Sequence, residues 1–457
     1  MRQLRVWRII IPEMLRDAFL PPPLAHPLEP LFRPVERPAG VRYMSARWNP
    51  EALGLLTASL REGAEGLRAI SVEELLAAWG ETVTRFLRPG SLERRALDPA
   101  LARLCRLSRP GLDAALEAVL GGVRREPAAA LFTEARPVDG AGPVLVVLAS
   151  NLPALAVQPL LPALVLRRPV LLKSPTAEPL FAPAFLAALA KREPRLAGAV
   201  SAATWPGGER GLEAPVLAGV ETVVAYGEQE SLDDLERRAP GRVVGYGPKA
   251  SLAVLGSDAD PREAAEGIAR DVALFDQRGC LSIAAVYTAG DAAALAERLG
   301  QALLDLARRW PPGPVSRAEL AAVQHLRLEA EMRGLRLESL STQAGTVLVD
   351  PEPAFRPSPG LRTVRVHSLQ DLDRLPEILD SWRGSLQGAA LAGRDAWALE
   401  GRLRDLGVSR FAAPGELQSP DATWHNGGIH PLEALAPRAG LPPTVPAAAR
   451  PRRSRSG

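Results

Sequence analysis

PVLVVLASNLPALAVQPLLPALVLRRPVLLKSP, residues 143–175, holds the pattern that decides the fold. A short apolar run (143–150) ends on small and polar residues. An apolar stretch of helical length (about 154–167) follows, and a second short run (169–173) closes on a lysine. Runs that are apolar on both faces read as strands buried in a parallel sheet, and the stretch between them as the crossover helix. Pro159 and Pro162 lie inside that stretch, so the helix is expected to kink or to start late.

Working outward, the same alternation recurs. GAVSAATW (198–205), ETVVAYG (221–227) and GRVVGYG (241–247) read as strands, with helices at about 178–192, 209–218 and 229–238 between them. SLAVLG (251–256) reads as another strand. Asp260 as N-cap, Pro261 in the first turn and Glu263 at the third position then open a helix that carries Ile268, Val272 and Phe275 on one face. Beyond Cys280 come strand 281–288, helices near 291–309 and 315–333, and strands 345–350 and 361–366. Helix 368–380, strand 388–393, helix 395–405 and strand 407–412 complete the pattern. The fold class is α/β, a doubly wound parallel sheet followed by a second α/β domain.

Four segments are expected. Residues 1–50 are Pro-rich and read as an extended arm; 51–274 join a helical segment to the first sheet; 275–415 form the second domain; 416–457 are a C-terminal segment with a disordered basic tail. In the helical segment Ser71 is a capping residue ahead of Leu75, Trp79, Val83 and Phe86, and a second helix begins near Pro110. The arginines of the tail read as a solvated end.

Composition excludes several classes. The chain has 457 residues, 47% hydrophobic and 23% charged, with a net charge of +3, an ordinary globular balance with too little positive excess for a nucleic-acid binder. No run of apolar residues is long enough to span a membrane, and the opening MRQLRVWRIIIPEML does not read as a secretory signal. Cys105 and Cys280 are too few for a disulfide framework and suit a cytoplasmic location. The five histidines are scattered and no metal site is expected. Only three lysines occur, Lys173, Lys191 and Lys249.

Ligands of open α/β sheets bind beyond the carboxyl ends of the strands. Asn151, Lys173, Trp205-Pro-Gly207-Gly208 and Tyr226-Gly227 all fall there, which points to one ligand-holding rim. Cys280, in DQRGC (276–280) at the join of the two α/β blocks, is the candidate nucleophile, with a buried inert thiol as the competing reading. Gly279 permits close backbone approach, Arg278 is placed to favour the thiolate, and the Cys280 N–H to hold an oxyanion. Cys105, in LARLCRLS, reads as core. GYGPKA (245–250) matches a dinucleotide fingerprint only superficially, because a strand follows it. His425 reads as a loop residue.

The segments ASNLP (149–153), VLLKSP (170–175), TWPGGE (204–209), VVAYGEQESL (223–232), GPKASLAVLGSDAD (247–260) and FDQRGCLS (275–282), in that order, resemble the aldehyde dehydrogenase superfamily over about residues 140–415. WPGG, FDQ-x-x-C and WHNGG (424–428) are most similar to its LuxC-like acyl-CoA reductase branch. The resemblance implies an NAD(P)-binding first domain and a catalytic second one. It implies Cys280 as nucleophile, Asn151 as oxyanion donor, and Lys173 at the adenosine ribose or its 2′-phosphate. Ser174, Thr176, Trp205, Gly207, Gly208, Tyr226, Gly227 and Gly247 would complete the cofactor site, with the helix after Gly227 facing the pyrophosphate. Two departures stand out. Gly245 occupies the place of the water-activating glutamate, and RPSPGLR (356–362) the place of the Glu-x-Phe-Gly that holds the nicotinamide ribose. Thr176, where a glutamate would disfavour a 2′-phosphate, leans to NADPH over NADH.

The expected activity is therefore NADPH-dependent reduction of a fatty acyl-CoA or of an acyl-carrier or acyl-protein thioester to the aldehyde through an acyl-cysteine. An acyl-protein synthetase is the expected partner, and the assembly a homo-oligomer. The rival readings are an oxidising aldehyde dehydrogenase, an inactive homologue serving as a partner subunit, and a cofactor-free cysteine acyltransferase. Loss of the glutamate fits reduction, because a base that activates water would hydrolyse the acyl intermediate.

Overall fold

The computed structural model describes residues 14–38, 40–135, 142–338 and 344–436. The basic tail and residues 1–13 lie outside them. The expected arm instead folds into a hairpin, β1 (Phe32–Arg37) against β2 (Val41–Ala46), with Phe32, Val41 and Tyr43 buried. Ahead of the hairpin, Phe19 exchanges two backbone hydrogen bonds with Ala202 (2.8 and 3.1 Å) and covers an open sheet edge. Proline there is compatible with strand because an edge position leaves its missing N–H unneeded.

The first sheet comprises β3 (Val144–Val147), β4 (Val170–Ser174), β5 (Val200–Thr204), β6 (Thr222–Tyr226) and β7 (Arg242–Tyr246). Its order is β5-β4-β3-β6-β7 and every pairing is parallel. Every residue of β4 and β5 is buried, as continuous apolar runs require. The crossover helix starts late, at Val157, after a turn in which Ala154 takes φ 62°. That start puts Pro159 in the first turn, where the N–H has no intrahelical partner to lose.

The second sheet is mixed and holds β8 (Ala250–Leu255), β9 (Ile283–Thr288), β10 (Arg336–Glu338), β11 (Thr346–Val349), β12 (Thr363–Ser368), β13 (Leu386–Ala392) and β14 (Arg410–Ala412). Its order is β10-β11-β12-β9-β8-β13-β14, with only β10 and β11 antiparallel. β8 and helix Pro261–Ala273, grouped above with the first sheet, belong here, so sheet membership changes between Tyr246 and Ala250 and not at 274/275. Asp260 caps that helix as expected, accepting from the Arg262 and Glu263 amides. The expected helix 368–380 is a chain of single turns: Leu372–Arg374, Leu375–Ile378 and Asp380–Trp382.

Helices Val72–Leu87, Leu92–Leu104 and Arg109–Gly121 form a layer against the first sheet. Ser71 and Glu74 make the reciprocal cap expected of a capping box. Trp79, Phe86, Phe181 and Phe185 then pack edge-on and stacked within 5.7 Å at the layer's centre.

Candidate active site

β3 has β4 on one side and β6 on the other, so the strand order reverses there and a crevice opens beyond the strand ends. Asn151 follows β3 and Tyr226-Gly227 end β6, on the two sides of that crevice. With Gly247, Lys249 and Cys280 they line one cavity of about 580 Å³. That volume lies in the range of small-molecule sites.

Cys280 stands on an unusual turn. Phe275, Asp276 and Gln277 have φ of 57°, 49° and 63°, three consecutive left-handed residues, none of them glycine. Such a conformation costs free energy at each residue and persists only where the surroundings enforce it. Two buried side chains enforce it here. Gln277 Nε2 donates to the Ile283 and Thr363 carbonyls (2.8 and 2.7 Å), and its Oε1 accepts from the Thr363 amide at 2.6 Å. Asp276 accepts from Arg362 (3.0 and 2.7 Å) and from the Gly313 amide (2.9 Å). RPSPGLR, marked above only as a departure, therefore supplies part of the clamp through Ser358 and Arg362. Past the turn, Ser251 Oγ donates to the Cys280 carbonyl at 2.9 Å.

Gly279 must be glycine for lack of space. A Cβ there would stand 2.6 Å from Gln418 Oε1 and 3.4 Å from the Phe275 ring. Gln418 cannot readily retreat, since its Nε2 donates to the Asp271 carbonyl and to Ser282 Oγ.

Cys280 is half-buried and lines the cavity. Burial pushes its thiol up to about 11, opposed by the Cys280 and Leu281 amides and by the positive charge of Lys249. Arg278, expected to favour the thiolate, is turned elsewhere: its guanidinium lies 3.3 Å from the Arg106 carbonyl, 3.5 Å from Glu319 and 3.7 Å from Asp276. Asn151 Nδ2 donates to the Arg278 carbonyl at 3.1 Å, which ties the β3 loop to the nucleophile loop. Cys105 is half-buried against the helical layer, its thiol raised well above the usual value by burial, and it does not line the cavity.

The sequence profile of the acyl-CoA reductase (LuxC) family matches residues 94–438. The chain belongs to the LuxC acyl-CoA reductase family. It is 27% identical over 234 residues to a long-chain acyl-protein thioester reductase of Aliivibrio fischeri, covering 50% of this chain and 49% of the relative. To that of Vibrio harveyi it is 26% identical over 299 residues, 60% of each chain. The matched part thus spans about half to three fifths of these relatives' length. Among solved structures it is similar to the NADP-dependent glyceraldehyde-3-phosphate dehydrogenase of Bacillus halodurans C-125 complexed with NADP (TM-score 0.65, 17% identity, 84% and 87% of the two chains). It is likewise similar to aldehyde dehydrogenase 21 of Physcomitrella patens (TM-score 0.67, 14% identity, 86% and 88%). At these identities the likeness establishes the aldehyde dehydrogenase fold.

In this LuxC-family chain the other anticipated residues fall into two groups. Tyr226, Gly227 and Gly247 line the sulfur cavity. Lys173, Ser174, Thr176, Trp205, Gly207 and Gly208 cluster at the ends of β4 and β5, outside it. There the Lys173 ammonium lies 5.3 Å from the Trp205 ring centroid and 3.7 Å from where a Gly207 Cβ would be. Burial lowers the Lys173 pKa, and the Ser174 hydroxyl is buried without a partner. The helix after Gly227 begins at Gln229 as expected, but Glu228 and Glu230 place negative charge at its start, which opposes an anion.

Position 245 points at Leu232, whose methyls lie 3.1 and 3.3 Å from where a Cβ would be, and not at the sulfur. Glu228, an exposed residue, is the single carboxylate among the described cavity residues. Lys249, Gln158, Gln387, Gln418, Trp424 and Asn426 line the cavity and escaped the site reading. The signal that pointed to some of them was WHNGG, quoted only for the resemblance. His425 is exposed beside His430 and stays off the wall, while its neighbours Trp424 and Asn426 form it. Asn426 accepts from Gln387 Nε2 at 2.8 Å, and Tyr226 stacks on Tyr246 at 4.9 Å.

Proposed function

We propose that this chain reduces an acyl thioester, carried by CoA or by a protein, to the aldehyde, with NADPH as reductant and Cys280 holding the acyl group between the two half-reactions. The observation that carries the reading is the composition of the cavity. A cysteine and a side-chain amide share it, and the single carboxylate among its described lining residues, Glu228, is exposed to solvent, while the place of the water-activating glutamate is taken by Gly245. An acyl-cysteine formed there is protected from hydrolysis and kept for reduction. The family relatives' names, acyl-protein thioester reductases, support a protein-bound donor.

In the proposed reaction the Cys280 thiolate attacks the thioester carbonyl. The Asn151 amide and the Cys280 N–H stabilise the oxyanion, each such donor being worth about 3–4 kcal/mol. Collapse breaks the old thioester bond, and the donor thiolate leaves to take up a proton. Lys173, Ser174, Thr176, Trp205, Gly207 and Gly208 would hold the adenosine end of the cofactor. Tyr226, Gly227 and Gly247 would hold the end nearest the sulfur. The unpartnered Ser174 hydroxyl and the buried Lys173 fit a polar ligand at the first group. When bound, the nicotinamide supplies hydride to the acyl carbon. The resulting Cys280 thiohemiacetal then expels the thiolate and frees the aldehyde. An acyl-protein synthetase is the partner such a donor implies.

The test is NADPH consumption across an acyl-CoA length series and with an acylated protein donor, with C280A as control. Aldehyde release that stops in C280A supports the reading, and turnover surviving in C280A overturns it. Faster turnover of aldehyde with NADP⁺ would favour oxidation. Acyl-Cys280 accumulating without nicotinamide dependence would favour an acyltransferase, and no cofactor binding by calorimetry an inactive subunit.

A further inference from the structure

Lys249 lies in the turn between β7 and β8, half-buried in the wall of the cavity that holds Cys280. Its ammonium donates to the Gly384 carbonyl at 3.0 Å. Among the described residues it has no carboxylate partner, and the titratable group whose charge it feels is the Cys280 thiol. The C-terminal turn closes over its stem: Gly427, at φ 60°, would place a Cβ 3.9 Å from Lys249 Cε and 3.7 Å from the Tyr246 ring. Burial lowers the pKa of this ammonium, and no carboxylate among the described residues offsets that cost. In a chain with 52 acidic residues, pairing this lysine would have been easy.

The groups facing the sulfur from the other elements do not supply that charge. Tyr226, at the end of β6, is kept neutral by burial, which raises its pKa well above the usual value. Arg278, in the loop itself, is engaged with Asp276, Glu319 and the Arg106 carbonyl. Glu228, exposed on the cavity lining, carries the wrong sign. Lys249 is the remaining cation on the cavity wall.

We propose that Lys249 is a positioning residue for the reaction, its ammonium held by Gly384 and acting as the counter-charge that stabilises the Cys280 thiolate and, after attack, the departing thiolate of the donor. The inference rests on Cys280 being the nucleophile of the proposed function. It is separable from that function, because alkylation of the sulfur needs neither thioester nor nicotinamide.

The test is the pH dependence of Cys280 alkylation by iodoacetamide, followed by peptide mass spectrometry, in full-length wild type, K249M, K249Q and K249R. One pKa unit is a tenfold change in thiolate. K249M and K249Q should slow alkylation at pH 8 by about tenfold or more and move the profile to higher pH, while K249R should recover most of the rate. K249Q keeps a donor for Gly384, so a purely structural lysine would leave its profile on that of the wild type. Superimposed wild-type and K249Q profiles overturn the proposal, as does failure of K249R to recover any rate. If these variants behave as expected but no acyl-CoA or acyl-protein labels Cys280, the proposed function fails and the donor-thiolate role with it, while Lys249 as the counter-charge of the Cys280 thiolate stands.

Discussion

Replacing Gln277 by leucine tests whether the strained turn is what presents the nucleophile. Leucine keeps the volume and an unbranched Cβ, so packing and the cost of φ 63° change little, and the amide's hydrogen bonds are what is lost. Besides the longer bond from Ser358 Oγ (3.3 Å), three short ones are lost, at 2.8, 2.7 and 2.6 Å, all to backbone of β9 and β12. At about 1 kcal/mol each, the loss is about 3 kcal/mol, and the Thr363 N–H, left buried beside an apolar side chain, adds about 1–3 kcal/mol more. The three left-handed residues then have less holding them, and the sulfur drifts from its place. Misplacement of a reacting group by about 1 Å costs on the order of 10²-fold. The assay pairs urea unfolding with the rate of Cys280 acylation by an acyl-CoA. A lower unfolding midpoint and acylation slowed by about 10–100-fold are expected. Wild-type values for both would show that the turn does not depend on Gln277, and would refute the reasoning.

The remaining predictions are narrower. G279A pushes a methyl against Gln418 Oε1 and should slow Cys280 alkylation and destabilise by about 1–3 kcal/mol, read by rate and melting; G279A/Q418A should lose less than the sum of the single changes, because the second removes the clash. N151A should lower kcat by about 10²–10³ and leave unfolding nearly unchanged, measured by NADPH turnover and melting. With its thiol pushed up to about 11, wild-type Cys280 should alkylate faster throughout a rise from pH 7 to 10, with no plateau below pH 10. Burial raises Asp271 to about 7, so the folded chain binds this proton more tightly than the unfolded one; its stabilisation is full below about pH 4 and is lost as pH rises through 7. Asp17, raised to about 6, acts in the same direction. Urea titrations at pH 4.5, 6 and 7.5 should show this fall, and D271N should remove part of it.

Part of the cavity lining, Asn151 and Tyr226-Gly227, could be read along the chain because strands of the first sheet end on residues unlike their interior. Asn151, Lys173, Trp205 and Tyr226-Gly227 follow apolar runs directly, and the sheet gathers such ends on one side. The cavity's far wall was harder to read. Gln387 sits inside β13, Gln418 and Asn426 lie in an irregular segment, and nothing local distinguishes an amide facing a cavity from one facing water. Arg278 shows the opposite error: adjacency along the chain suggested a charge for the sulfur, but the guanidinium turns to Glu319, far away in sequence.

Periodicity and end signals, which are properties of neighbouring residues, were sufficient for the α/β class, the late crossover helix, the caps at Ser71 and Asp260, and the order Asn151 to Cys280. Sheet membership was settled only in three dimensions. An apolar run such as SLAVLG is equally at home between any two buried strands, since its pattern records that both faces are covered and not by what. The hairpin at 32–46 and the clamp of Gln277 on β12 are likewise products of tertiary packing, because the partners that hold them lie tens to hundreds of residues away along the chain.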